Sequence, residues 1–337
     1  MKAVVIATIC TVVLASSGAA QGIDPQCPPG GFNSSGGPDN TKVAQDACQK
    51  AIDLFRYMAP QLGAVLAGGN PTQSLTGTLG GLGHFAIGLR GNALRASLPE
   101  VDRVVPNTRG AVLSTYSLDS KPAGIVTGDF TFGLLKGLPL GLTRLGGIDG
   151  IVTASYVPNY SKGQLDIEAP GGSLRLGYGA KIGLIEESAV VPGVGLSYVV
   201  RELPLVNLTG QSGEDRLFLD SVRVRTSSWR AVAGKSILFF GFAAGFGQDT
   251  YDSKARISVT VAPRPLTEGG SGGPVLLDQK LTRNNVFGSV WITSQVLRIV
   301  AEIGRVSGGT IVTYNQFDGV QPADARTYGS VGISFGR

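Results

Sequence analysis

Charge is scarce in this chain. Only 16% of its 337 residues are Asp, Glu, Lys or Arg, against about 25% in an average soluble domain. Histidine is almost absent, with His84 alone, and there are three cysteines, two methionines and two tryptophans. One histidine and no cluster of His, Cys, Asp and Glu at ligand spacing leave no metal centre and no cofactor to expect. Lys and Arg exceed Asp and Glu by 29 to 24, a balance of +5, and the excess is scattered. No basic run marks a nucleic-acid partner. Beyond the first twenty residues no apolar stretch is long enough to cross a bilayer as a helix.

Glycine is abundant instead, at 50 residues. Residues 1–20 carry the marks of a secretory signal: Lys2, the apolar run Ala3 to Leu14, and the small residues Gly18, Ala19 and Ala20. About twelve apolar residues are too few for a transmembrane anchor. Cys10 falls inside this segment, and Ile9 before it spoils a lipoprotein-type cleavage box. Once the signal is gone, Cys27 and Cys48 remain, and two cysteines in an exported chain predict one disulfide.

Residues 21–40 are rich in Pro, Gly, Ser and Asn and read as a loop. A helix follows, because Val43, Ala47, Ala51, Leu54, Phe55, Met58 and Leu62 recur at three- and four-residue steps. Pro60 is expected to kink or interrupt it and Gly68–Pro71 to end it.

From about residue 82 the period becomes two. Phe85, Ile87 and Leu89 alternate with polar and small residues, as do Leu174, Leu176, Tyr178 and Ile182, then Phe240, Phe242 and Phe246, then Leu297, Ile299 and Ile303. These runs last about ten residues, the length a tilted strand needs to cross a bilayer. Further strands are expected near 110–118, 123–137, 146–158, 193–203, 217–231, 253–262, 284–294 and 325–336, with long connections at 203–216, 262–283 and 305–325. Low charge, long alternating strands and no membrane helix predict an all-β fold: a transmembrane antiparallel β-barrel of about 10–12 strands with a short N-terminal helical segment. A Gly-rich soluble sandwich or β-helix is the rival. The expected domains are a signal peptide at 1–20, a loop and helix at 21–75 serving as a possible plug, and a barrel at 76–337.

The signal, the long alternating strands and the final strand from Tyr328 to Phe335 resemble bacterial outer-membrane β-barrel proteins. The resemblance implies export to the bacterial outer membrane, outer-membrane lipid as surroundings, and the barrel-assembly machinery as a partner. That machinery reads a terminal aromatic residue, whereas here Phe335 stands third from the end, ahead of Gly336 and Arg337. A helical segment ahead of a barrel is similar in arrangement to the hatch of FadL-type transporters of hydrophobic compounds. The run Gly269-Gly270-Ser271-Gly272-Gly273-Pro274 resembles the motif around the nucleophilic serine of trypsin-like proteases, with Gly270 where that motif has Asp. Such a serine needs a base and an orienting carboxylate. His84, set in GLGHFAIG, lacks the family's setting, so Gly-rich loop is the plainer reading, and no enzyme is expected.

The polar faces then carry the functional reading. Alternation places Arg90, Arg175, Lys181, Arg201, Arg223, Arg225, Lys254, Arg256 and Arg298 inward, against the acids Asp129, Asp149 and Glu302. Such a surplus predicts an anion-favouring channel or transporter for small solutes, while uptake of hydrophobic compounds is what the FadL-type likeness implies; the solute itself is unknown. Filler arginines paired with acids of a plug, in a non-transporting barrel that anchors partners through its loops, are the alternative.

Overall fold

The computed structural model describes residues 22–28, 40–72, 76–100, 106–162, 165–263 and 269–336. The expected signal peptide lies outside them. Among these residues one helix, α1 (Asn40–Ala67), precedes fifteen strands. Ten of these close a ring by antiparallel pairing: β1 (Phe85–Pro99), β2 (Leu118–Leu135), β5 (Gly147–Tyr156), β8 (Leu174–Ile185), β9 (Gly193–Glu202), β11 (Asp215–Ile237), β12 (Phe240–Val261), β13 (Gly270–Ser294), β14 (Leu297–Ser307) and β15 (Arg326–Gly336). β15 pairs with β1 to complete the circle, with Leu89 opposite Ile333. Closure leaves the ring no edge, the condition for strands to stand in lipid. The hairpin β3 (Leu138–Leu140) and β4 (Thr143–Leu145) stands apart, while β10 (Val206–Ser212), β7 (Leu165–Glu168) and β6 (Tyr160–Lys162) extend the sheet sideways from β11.

The two ends of the ring differ. At one, β11 turns into β12 through Leu238 and Phe239, and β13 into β14 through Gln295 and Val296; β1 begins and β15 ends there. At the other lie the connections 100–117, 157–173, 203–214, 262–269 and 308–325. The strands toward this long-loop end are very long: β11, β12 and β13 have 23, 22 and 25 residues, about twice what a membrane crossing takes.

Segment 110–118, expected as a strand, makes an isolated bridge from Thr115 to Gln316 and, among the described residues, no other strand pairing before β2 begins at Leu118. The runs near 238–246 and 253–262 are one strand, β12. Most of the expected loop 262–283 belongs to β13, where Gly270, Ser271 and Gly272 pair with Val261, Thr260 and Val259 beyond a register shift. Glycine suits that bulged pairing as well as it suits a loop.

α1 runs unbroken through Pro60. A helical proline strands the carbonyl four residues earlier. Here that carbonyl, Arg56 O, accepts a bond from Gln279 Nε2 of β13 at 3.3 Å, and the ring around the helix holds its course. Gly69, at φ +69°, ends it as expected.

Candidate functional site: the plugged bore

α1 lies inside the ring and touches β1, β2, β9, β11, β12, β13 and β15. Its first half faces the long-loop end. Cys48, Ala51, Ile52 and Phe55 bury against Val222 of β11, Ala255, Ile257 and Val259 of β12, and Val275 and Leu277 of β13. Its second half descends. The ideal Cβ of a side chain at Gly63 would lie 2.5 Å from Tyr251 Cγ, so only glycine lets helix and wall meet there. Ala64, Val65 and Ala67 then pack with Tyr251, Phe287 and Tyr328.

The helix ends among arginines. Four carbonyls at a helix C-terminus lack intrahelical partners, and in a dry bore each must find another. Arg201 Nη1 donates to Leu66 O at 3.2 Å and Ala67 O at 2.8 Å. Arg230 Nη2 donates to Ala67 O at 2.5 Å. Arg90 Nη1 reaches Gly68 O and Gly69 O at 2.6 and 2.8 Å. Three cations at the negative end of the helix dipole also have the favourable sign. Acids balance them: Arg90 forms a two-pronged bond to Asp129 at 2.9 and 3.1 Å, and Arg230 lies 3.6 Å from Asp249 and 3.8 Å from Glu302. Glu302 in turn accepts from Asn70 N and Tyr328 OH.

Below this clamp the chain continues to the short-turn end. Lys181 donates to Gly77 O, Thr78 bonds Glu186, and Leu79 N donates to Asp149 at 3.1 Å. A cavity of about 210 Å³ remains at that mouth, lined by Thr76, Glu186, Ser236, Trp291 and Arg298 among others.

Above it, carboxylates of α1 hold the long loops. Asp46 accepts from Asn107 N at 2.6 Å and Val112 N at 3.1 Å. Asp53 accepts from Tyr314 N, Asn315 N, Asn315 Nδ2 and Gln49 Nε2. Cys27 and Cys48 form a disulfide, and Asp24 pairs with Arg56 at 3.0 Å.

Burial raises the Asp53 carboxyl above its ordinary 3.8, against the lowering effect of those donors. A raised carboxyl binds its proton more tightly when folded. Its contribution to stability therefore grows as pH falls from neutral through the raised value, and levels off below 3.8. Tyr116, buried between Asp53 and Asp46, is a titratable neighbour. Asp53→Asn, which aims an amide at four donors, is expected to cost about 1–3 kcal/mol. The gap in urea midpoint between wild type and variant should widen on acidification; a gap that narrows contradicts the assignment.

Of the nine inward cations expected, the structure brings Arg90 and Arg201 to the helix end, Lys181 to the segment below it, and Arg298 to the mouth, over the Trp291 ring at 5.6 Å. The other five do not line the bore. Lys254 and Arg256 stand on the same face of β12 as Phe240, Phe242 and Phe246, and that face points out. Arg223 and Arg225 share the outward face of β11 with Trp229. Arg175 is exposed at the rim, 3.7 Å from Glu202, which Arg223 also engages; Lys254 pairs with Asp278 at 2.7 Å. For the four on β11 and β12 the reason is that these strands outrun the membrane, whereas Arg175 keeps the parity of Lys181 and is exposed because it stands at the outer end of the short strand β8. Beyond the lipid the chemical sense of the two faces reverses, with apolar side chains turned in upon α1 and charges turned out to water. Arg230 and Arg283 were missed, although Trp229 beside Arg230 signals which parity meets lipid. Arg283 Nη2 donates to Ala323 O and Asp324 O at 2.8 Å.

Outside, the half of the ring toward the short turns is an apolar belt. Ile87, Leu89, Val126, Leu176, Ile182, Val290, Ile303, Val331 and Ile333 are all exposed. Tyr156, Tyr198 and Trp229 border it toward the long loops, with Tyr178 inside it; Phe85, Phe239, Phe240 and Phe335 border it toward the short turns. A closed ring, an apolar belt between two aromatic girdles, and short turns at one end only define an outer-membrane β-barrel. The chain is such a barrel and resides in the outer membrane; barrels of this kind keep their short turns in the periplasm and their long loops outside.

No sequence family matches the chain, and no curated protein does. By shape it is similar to the transport unit of the autotransporter AIDA-I from Escherichia coli, at 10% identity over 85% of this chain and 98% of that one, with a TM-score of 0.34. It is also similar to the TodX deltaS2S3 mutant monoaromatic hydrocarbon channel (8%, 81% and 94%, TM-score 0.32) and to outer membrane phospholipase A from Escherichia coli (8%, 81% and 97%, TM-score 0.22). At these identities the likeness concerns the barrel fold and nothing finer. It does correct one expectation. The chain was expected not to be an enzyme, yet the barrels it matches include a phospholipase, so that exclusion is withdrawn. The one pairing the sequence suggested is not assembled: Ser271 sits at the long-loop end of β13, opposite Thr260, and His84 at the periplasmic rim, with Nδ1 3.3 Å from Gly81 O.

Proposed function

We propose that the protein is a sealed outer-membrane barrel that anchors a surface platform, and does not act as an open pore. The supporting observation is the fastening of α1. Its last carbonyls are taken by Arg201 and Arg230 and those of Gly68 and Gly69 just beyond it by Arg90, and its acidic side chains hold two outer loops. An anion-selective bore needs free cations along it, whereas these three serve the plug and five others lie outside. The platform is the outer half of β11, β12 and β13, the sideways extension β10, β7 and β6, and the long loops, all available to partners beyond the lipid. Purified protein in planar bilayers is expected to show no conductance steps, and a chain lacking residues 22–69 is expected to conduct. Steady conductance by the intact protein overturns the reading in favour of transport.

A further inference from the structure

We infer that this chain is threaded through its own barrel, so that it exports its amino-terminal end to the outer surface while its carboxy terminus stays on the periplasmic side. The path can be followed through the described residues. Asp24 N donates to Gln49 Oε1 at 2.6 Å, Arg56 holds the Asp24 carboxylate, and Gln26 exchanges bonds with the backbone of Leu276 at 3.1 and 3.2 Å. Leu276 lies in the outer half of β13, opposite Arg256, above the aromatic girdle. From there α1 enters the ring. Its end meets Arg90, Arg201 and Arg230 at mid-bore, Asn70 N meets Glu302, and Leu79 N meets Asp149 near the periplasmic mouth. The chain then joins β1 at Phe85. Ala86 pairs with Gly336 of β15, so the start of the barrel and its last strand share the periplasmic end. One stretch of polypeptide therefore crosses the closed ring from outside to inside, read from its amino end.

A chain delivered to the periplasm reaches this arrangement only if the residues ahead of α1 cross the membrane outward. A bore that holds a helix about 10 Å across also admits an extended chain. Once α1 is seated, the arginine clamp below and the Cys27–Cys48 bond above hold it. What precedes Gly22 in the mature chain is thereby displayed outside the cell.

The test places a short epitope directly before Gly22, behind the export signal, and a second epitope after Arg337. On intact cells the first should bind antibody as strongly as after permeabilisation, and the second should bind only after permeabilisation. Heat-modifiable migration of the same material establishes that the barrel is folded. Should the tag prevent folding, the untagged chain serves. Its α-amine, with a pKa near 8, is labelled near neutral pH in preference to lysine, and an impermeant amine reagent on intact cells followed by peptide mapping gives the same readout. An amino terminus protected on intact cells overturns the inference, whether or not the carboxy terminus is also protected. Conductance by the wild type would leave this result untouched, so the two readings fail separately.

Discussion

Replacing Arg230 with methionine is expected to cost about 3–5 kcal/mol of stability, the range seen when one member of a buried charged group is removed. The side chain is fully buried, donates to Ala67 O at 2.5 Å, lies near Asp249 and Glu302, and sits 5.3 Å from the Phe287 ring. Methionine keeps much of the volume and removes the charge. Asp249 then keeps its bond from Asn285 Nδ2, and Glu302 those from Tyr328 OH and Asn70 N, but both lose a cation. Ala67 O loses one of its two donors. Arg225→Met is the control. That guanidinium lies on the outward face near the charges of β9 and β12, and changes at such surface positions stay within about 0.5 kcal/mol. Urea unfolding of both variants in lipid, followed by tryptophan fluorescence, should separate them clearly. Equal midpoints would mean that Arg230 does not hold the plug.

The contrast between Arg230 and Arg225 also shows what the sequence could and could not convey. Period-two alternation identifies every strand of the ring, because one residue in two meets lipid along the whole crossing. The helix is as plain, since Val43, Ala47, Ala51 and Phe55 must face something apolar. Parity was lost where strands ran long. β12 keeps one register from Phe240 to Arg256, so Lys254 must share a face with Phe246. Split into two short strands, the same residues lose that constraint. The outer half then deceives, because Val222, Ala255 and Ile257 are apolar and inward while their neighbours are charged and outward. Which bore charges meet the helix end was beyond reach, because the partners Arg90, Arg201 and Arg230 come from three strands and the acceptors are backbone carbonyls with no side-chain signature. Pro60 misled for a related reason: the compensating donor, Gln279, stands 219 positions further along.

Reducing the Cys27–Cys48 bond is expected to unfasten the outer end of the plug and leave the ring folded. The bond spans 21 positions, and closing a loop of that size in the unfolded chain is worth about 3 kcal/mol in the chain-entropy account. Its effect is local, because both cysteines lie ahead of β1 and the ring contains none. What it holds is segment 22–28, laid against Gln49, Arg56 and the β13 backbone at the outer rim. Asp46 and Asp53 continue to hold their loops, and the arginine clamp lies far below, so α1 should remain seated while its first turns open. Hydrogen exchange after reduction should rise in residues 22–28 and in the first two turns of α1, and stay unchanged in β5, β8 and β9. The Cys27→Ser, Cys48→Ser double variant should reproduce the pattern without reductant. Exchange that rises throughout the ring would mean that the plug and the barrel fold as one unit. No change anywhere would mean that Asp24, Gln26 and Asp46 fasten the outer end without the bond.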